Sequence, residues 1–165
     1  MRLPITIFLL LLLGPLLSLG QISTSLARRI VSADTVLLVT HGQTEGAVIR
    51  DETTGKYKNA DTVVVGGRPN FNVITESKLI STAPLQQLGS ILRRPFQDKT
   101  IETCKCFVPF HAIIVVKDGI ASYIEICFAC NSLKTSEKTA SLDYMDKQKQ
   151  KELQKLFIDV GLSVE

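Results

Sequence analysis

Two apolar runs, residues 112–116 and 120–128, are joined through Lys117, Asp118 and Gly119, and they constrain the fold more than any other segment. Asp-Gly is a favoured two-residue hairpin turn because both residues tolerate positive φ. So short a connection makes the two strands antiparallel neighbours and fixes their register. Lys117 falls opposite Ile120, Ile114 opposite Tyr123, Ala112 opposite Glu125 and Phe110 opposite Cys127. The two-residue period of a strand then puts His111, Ile113 and Val115 on one face with Ile124 and Ile126. Cys127 belongs to the opposite face, with Tyr123 and Glu125.

Two helices are written as plainly. Ser81 or Thr82 can cap a helix that admits Pro84 in its first turn, where a missing N–H costs little. Leu85, Leu88, Ile91 and Leu92 form its apolar stripe, and Pro95 ends it. A second helix runs from about 146 to 160. Leu153, Leu156, Phe157 and Val160 face the core, and Gly161 supplies a C-terminal stop. Lys147, Lys149, Lys151 and Lys155 fall on its polar side and read as a solvated face rather than a binding patch. Residues 35–40, 47–49 and 62–65 carry strand character, residues 51–61 read as a turn or exposed loop, and residues 21–33 as a flexible lead-in or short helix. The expected class is therefore α+β: a small antiparallel or mixed β-sheet with a central hairpin and two or three packed helices.

The first twenty residues have a different character. Arg2 precedes an apolar run from 5 to 13, broken by Gly14 and Pro15 and resumed at 16–19, with small Ser18 and Gly20 before Gln21. This is the pattern of a secretory signal, and it is shorter than the about 20 apolar residues that a membrane span requires. The expected organisation is a signal peptide at 1–20 and a single exported α+β domain at 21–165, secreted or periplasmic, with no stable membrane span after cleavage. Loss of Arg2 lowers the formal charge from +3 to +2, too small an excess to argue for nucleic acid.

All four cysteines lie between positions 104 and 130, together with one of the two histidines: Cys104, Cys106 and His111 before the hairpin, Cys127 and Cys130 at its end. Export makes disulfides an expected use. The register carries Cys106 toward the chain just beyond Cys130, so a link from Cys104 or Cys106 to Cys130 is expected. Zinc or another soft metal is the alternative, held by Cys104, Cys106, Cys127 and Cys130, or with His111 replacing one of them. Cys127-x-x-Cys130 is a suitable chelating knuckle, whereas Cys104-x-Cys106 is tighter than the usual spacing. Regular alternation separates His111 from Cys127, and a bulge near Pro109 would be needed to unite them. A thiol-active pair at Cys127 and Cys130 would want a helix N-terminus to stabilise a thiolate, and residues 131–134 carry no helical stripe.

The same residues resemble an uncharacterised group of exported bacterial proteins. The likeness rests on Cys106-Phe107-x-Pro109-x-His111-Ala112-Ile113 followed by Ile126-Cys127-x-x-Cys130-Asn131, and it covers about 104–131, with weaker similarity in both helices. Members often carry arginine before the histidine, where this chain has Phe110, so an anion-binding role there loses its charge. The resemblance implies no particular activity. Residues 37–45 resemble the opening signature of histidine phosphatases, with His41 as the nucleophile and Thr44 near phosphate. Thr40 stands where that family has arginine, and a neutral hydroxyl cannot supply a bidentate positive fork. His41-Gly42 is read as a strand-ending turn.

No catalytic residue is assigned, and enzymatic activity is left open. The expected role is an exported structural or binding domain for an unknown protein or small-molecule partner, with the cysteines mainly stabilising the fold and no cofactor required.

Overall fold

The Asp118-Gly119 turn closes with φ values of 50° and 74°, the left-handed geometry that its residues favour. It joins β7 (His111–Lys117) to β8 (Ile120–Cys127), with Lys117 opposite Ile120, Ile114 opposite Tyr123 and Ala112 opposite Glu125, as expected. The ladder ends at His111 opposite Ile126, one pair short of Phe110 and Cys127. Asp34 braces the turn from outside, accepting a bond of 2.7 Å from the Asp118 N–H.

This computed structural model describes residues 24–42, 48–50, 57–59, 62–95, 107–136 and 143–164. The expected signal at 1–20, Thr44, Cys104 and Cys106 lie outside the described residues.

The other elements, in chain order, are α1 (Thr24–Val31), β1 (Thr35–His41), β2 (Val48–Arg50), β3 (Tyr57–Asn59), β4 (Val64–Val65), β5 (Arg68–Pro69), β6 (Ile74–Leu79), α2 (Thr82–Arg93), β9 (Ser132–Thr135), β10 (Asp143–Tyr144) and α3 (Lys147–Asp159). A six-stranded antiparallel sheet has the order β10-β9-β8-β7-β1-β6, and two small ribbons pair β2 with β3 and β4 with β5. The hairpin is thus central, and the architecture is the expected small α+β domain.

The alternation of each strand divides the sheet into two faces. Val36, Leu38, Ile113, Val115, Ile124, Ile126 and Leu133 pack with Ile30 of α1, with Leu88, Ile91 and Leu92 of α2, and with Leu153, Leu156 and Phe157 of α3. Burying each large side chain contributes about 1.5–3 kcal/mol, so this layer is the main source of stability. The opposite face carries Val39, Ala112, Ile114 and Ala121, covered by Val63 and Val64. The β4–β5 turn is tied there by the Ala121 N–H donating to the Gly67 carbonyl at 2.8 Å.

Three local features depart from the sequence reading. Ser81 is the N-cap of α2, but its side chain makes no capping bond, and Thr82 takes a positive φ of 46°. Residues 51–61 read as a turn or exposed loop, but Tyr57–Asn59 within them form β3, paired with β2; β6, an edge strand paired only to β1, needs no continuous apolar face. Lys149 is not on the solvated side of α3. It is 2% exposed, and its Nζ donates to the Arg94 carbonyl at 3.0 Å, closing the C-terminal end of α2. A lysine stem packs as an apolar chain when its tip finds such an acceptor. The N-terminus of α3 is capped by the Asp146 carboxylate, which accepts from the Lys149 N–H at 2.6 Å.

Candidate functional site

The four-residue segment after β8 shows what the cysteines do. The chain turns back through residues 128–131, with Asn131 at a φ of 53°, a left-handed position that asparagine tolerates. This return brings Cys127 and Cys130 to a Cα separation of 5.2 Å, and their sulfurs are bonded to each other. The expected link from Cys104 or Cys106 to Cys130 is thereby corrected, because Cys130 is already paired within its own turn. Both cysteines are buried. The segment beyond them enters β9 rather than a helix.

The same turn aims Phe128 into the helical layer. Its ring lies 4.8 Å from that of His111 and 5.7 Å from that of Phe157, and His111 lies 5.6 Å from Phe157. Gln150 of α3 donates to the Phe128 carbonyl at 2.6 Å. His111 therefore stands in an aromatic cluster on the helical face, with no register shift in β7 to swing it toward Cys127. Its Nε2 faces the Ser163 carbonyl at 3.1 Å, and since a carbonyl only accepts, Nε2 is the donor. Of the five residues proposed for a metal, the structure joins Cys127 to Cys130, places His111 elsewhere, and leaves Cys104 and Cys106 undescribed. Among the described residues, no three His, Cys, Asp or Glu side chains are grouped to hold a metal ion.

A different site forms where β1 ends. Thr40 pairs with Glu76 but His41 pairs with Ile74, so Thr75 bulges out of the ladder between them. Such bulges re-aim side chains and recur beside functional sites. The Thr40 and Thr75 hydroxyls meet at 3.0 Å. On the other side of β1, Thr40 pairs with His111, and the His41 N–H donates to the Phe110 carbonyl at 2.9 Å. After α3, Gly161 at a φ of 83° turns the chain, and Ser163 crosses back to the sheet. Its N–H and hydroxyl donate to the two carboxylate oxygens of Glu76 at 2.8 and 2.9 Å. Thr40, His41, Thr75, Glu76, Phe110, His111 and Ser163 thus line one cleft of about 290 Å³.

The electrostatics of this cleft follow from its bonds. The Ser163 N–H and then its hydroxyl hold the Glu76 carboxyl below the ordinary value of 4.5, so it is ionised at neutral pH. His41 is 3% exposed, and burial pushes its pKa below the ordinary 6.5 against the opposing influence of the Gly42 and His111 backbone. Its ring is therefore neutral at pH 7. Nδ1 lies 2.6 Å from the Gly42 carbonyl and so carries the proton. Nε2 is buried, and among the described residues it makes no hydrogen bond. Among the described residues, neither lysine nor arginine lines the cleft.

Both histidines of the chain meet at this site, a juxtaposition that the sequence reading missed. The signal available was His41 at the end of one apolar strand and His111 at the start of another. Only the antiparallel pairing of β1 with β7 brings those ends together. Among the described residues, the cleft lacks the arginine that a phosphate-transferring histidine would need. Comparison with known proteins finds no matching family model, no similar curated protein and no similar solved structure.

Proposed function

We propose that the chain is an exported binding domain of the uncharacterised bacterial group that it resembles, and that the β1-end cleft takes a small polar ligand. The observation that carries this reading is the cleft of about 290 Å³ itself, whose lining brings an ionised Glu76 together with the hydroxyls of Thr40, Thr75 and Ser163. The cleft is at the small end of ligand sites, which suits a compact molecule. Its hydroxyls belong to Thr40, Thr75 and Ser163; those of Thr40 and Thr75 meet each other, and that of Ser163 donates to Glu76. The cleft is read as a binding site, with the Cys127–Cys130 bond serving to hold the fold.

The test is an amide-shift survey of the oxidised chain against a library of small polar fragments. Saturable shifts gathered at 40–42, 75–76, 110–111 and 163 are expected. Shifts gathered elsewhere, or none, would reject the cleft as the site.

One observation favours a second reading: a local Cys127-x-x-Cys130 link is the arrangement of thiol-active proteins. Against it stand the burial of both residues and the strand that follows them. Rapid reduction of the bond by a protein dithiol, with the fold kept intact, would support thiol activity over a structural role.

A further inference from the structure

We infer that the edge strand β6 is a self-association surface, on which a second copy of this chain pairs antiparallel across a two-fold axis at Ser77. The six-stranded sheet ends in β10 on one side and β6 on the other. β10 has two residues, too short to template another strand, whereas β6 has six. Among the described residues β6 pairs only with β1. The Ile80 N–H donates to the Val36 carbonyl at 3.0 Å, and this sets the phase of the ladder: Glu76, Lys78 and Ile80 direct their backbone groups to β1. Ser77 and Leu79 therefore direct theirs away from the sheet, and both residues are exposed. Leu79 in particular leaves a large apolar side chain 68% exposed at this edge.

The charges on β6 select the occupant and its register. Glu76 and Lys78 stand two residues apart and project to one face. The segment after α3 meets both of them there: Ser163 donates to Glu76, and a Cβ placed at Gly161 would lie 3.8 Å from the Lys78 Cε. The outward backbone groups admit an antiparallel partner only with odd-numbered residues facing each other. When Ser77 faces Ser77, Glu76 of each copy falls opposite Lys78 of the other, and two-fold symmetry makes that pair twice. Sliding the register two residues either way sets Glu76 against Glu76 or Lys78 against Lys78, and like charges directly opposite are destabilising. A lone lysine on an edge strand repels a second copy, but Glu76 makes this one half of a self-complementary pair. Glu76 keeps its bonds from Ser163 and acts through its charge, at the close spacing of a non-hydrogen-bonded pair. Pairing also covers one flank of Leu79. The bulge at Thr75 ends the regular stretch, so the shared ladder is short and the dimer is reversible rather than permanent.

The experiment is sedimentation velocity on the oxidised full chain at rising concentration, which should show a reversible monomer–dimer equilibrium. Lys78→Glu alters an exposed side chain, leaves the β1 ladder alone and sets carboxylates opposite each other at both symmetric positions. It should weaken association about tenfold or more. Adding Glu76→Lys exchanges the two charges, restores the opposite-sign pairs and should recover most of the lost affinity, with circular dichroism confirming that each variant is folded. Ser77→Cys supplies a second readout that does not touch the charges. Facing Cα atoms of a hydrogen-bonded pair are about 5.5 Å apart, so a short thiol crosslinker should join position 77 of one copy to position 77 of the other. Leu79→Cys should not be joined to itself, because its two copies lie about 13 Å apart along the paired strands. A chain that stays monomeric up to its solubility limit overturns the proposal. A dimer indifferent to Lys78→Glu, a folded double exchange that fails to recover association, or a self-link at 79 in place of 77 overturns it equally.

Discussion

Replacing Phe157 by Ala tests the aromatic cluster that joins α3 to the sheet. The Phe157 side chain is fully buried and meets the rings of Phe128 and His111 edge-on, at 5.7 and 5.6 Å. Truncating a core phenylalanine costs about 3–5 kcal/mol, combining lost burial with the cavity left behind. A domain of this size has a total stability of about 5–15 kcal/mol, so the variant should lose from about a fifth of it to all of it. At about 2–4 °C per kcal/mol, the melting temperature should fall by roughly 6–20 °C. The chain has no tryptophan, so unfolding is best followed in urea by far-ultraviolet circular dichroism. Leucine variants at 128 and 157, single and double, separate ring geometry from burial. An edge-to-face pair adds about 0.5–1.5 kcal/mol beyond area, which should appear as coupling in the cycle. A loss below about 1 kcal/mol for Phe157→Ala would show that the cluster does not anchor α3. Strict additivity of the leucine variants would show that the ring contacts contribute only area.

Three further outcomes are expected. Leu156 is 1% exposed, so Leu156→Ala should lower unfolding stability by about 2–5 kcal/mol, whereas a midpoint near that of the parent would mean that α3 is peripheral. Peptide mapping without reduction should find Cys127 and Cys130 linked within the single tryptic peptide 118–134, and replacing both by Ser should cost about 2 kcal/mol, the closure entropy of so short a loop. Acid should weaken the fold in two steps, which a pH series of urea midpoints will resolve. As pH falls through 6.5 the unfolded chain protonates His41 while the folded chain resists, so stability declines; Glu76 stabilises above 4.5 and loses that contribution as pH drops further. His41→Gln should erase the first step and Glu76→Gln should shallow the second, and a profile unchanged by either substitution would contradict the assigned environments.

The hairpin, α2 and α3 were legible in the sequence because each depends on local rules: a turn dipeptide, or an apolar stripe with a stop behind it. β6 was not, because an edge strand lies against one neighbour and its Thr75, Glu76, Ser77 and Lys78 carry no apolar alternation. Lys149 was misread because residue type predicts average exposure, whereas the Arg94 carbonyl that receives it belongs to another helix. The cysteine spacing admitted a chelate, a redox pair or a crosslink, and the left-handed turn at Asn131 decided for a local bond. The cleft was the least legible part. Its seven residues come from β1, β6, the start of β7 and the segment after α3, and only the completed sheet brings them together.

The position of β1 also sets an order of assembly. β7, β8 and β9 follow one another through short turns and can zip together as they meet. β1, between β6 and β7, must close the long stretch from residue 42 to residue 110 before its bonds to β7 form. That closure costs about 3 kcal/mol more chain entropy than a two-residue turn. Amides of β7 and β8 that pair with each other should thus gain protection from hydrogen exchange before those of β1 during refolding. The cleft is built on the β1–β7 seam, so it should be among the last parts of the molecule to exist: a nascent chain holds its meander before it can hold a ligand.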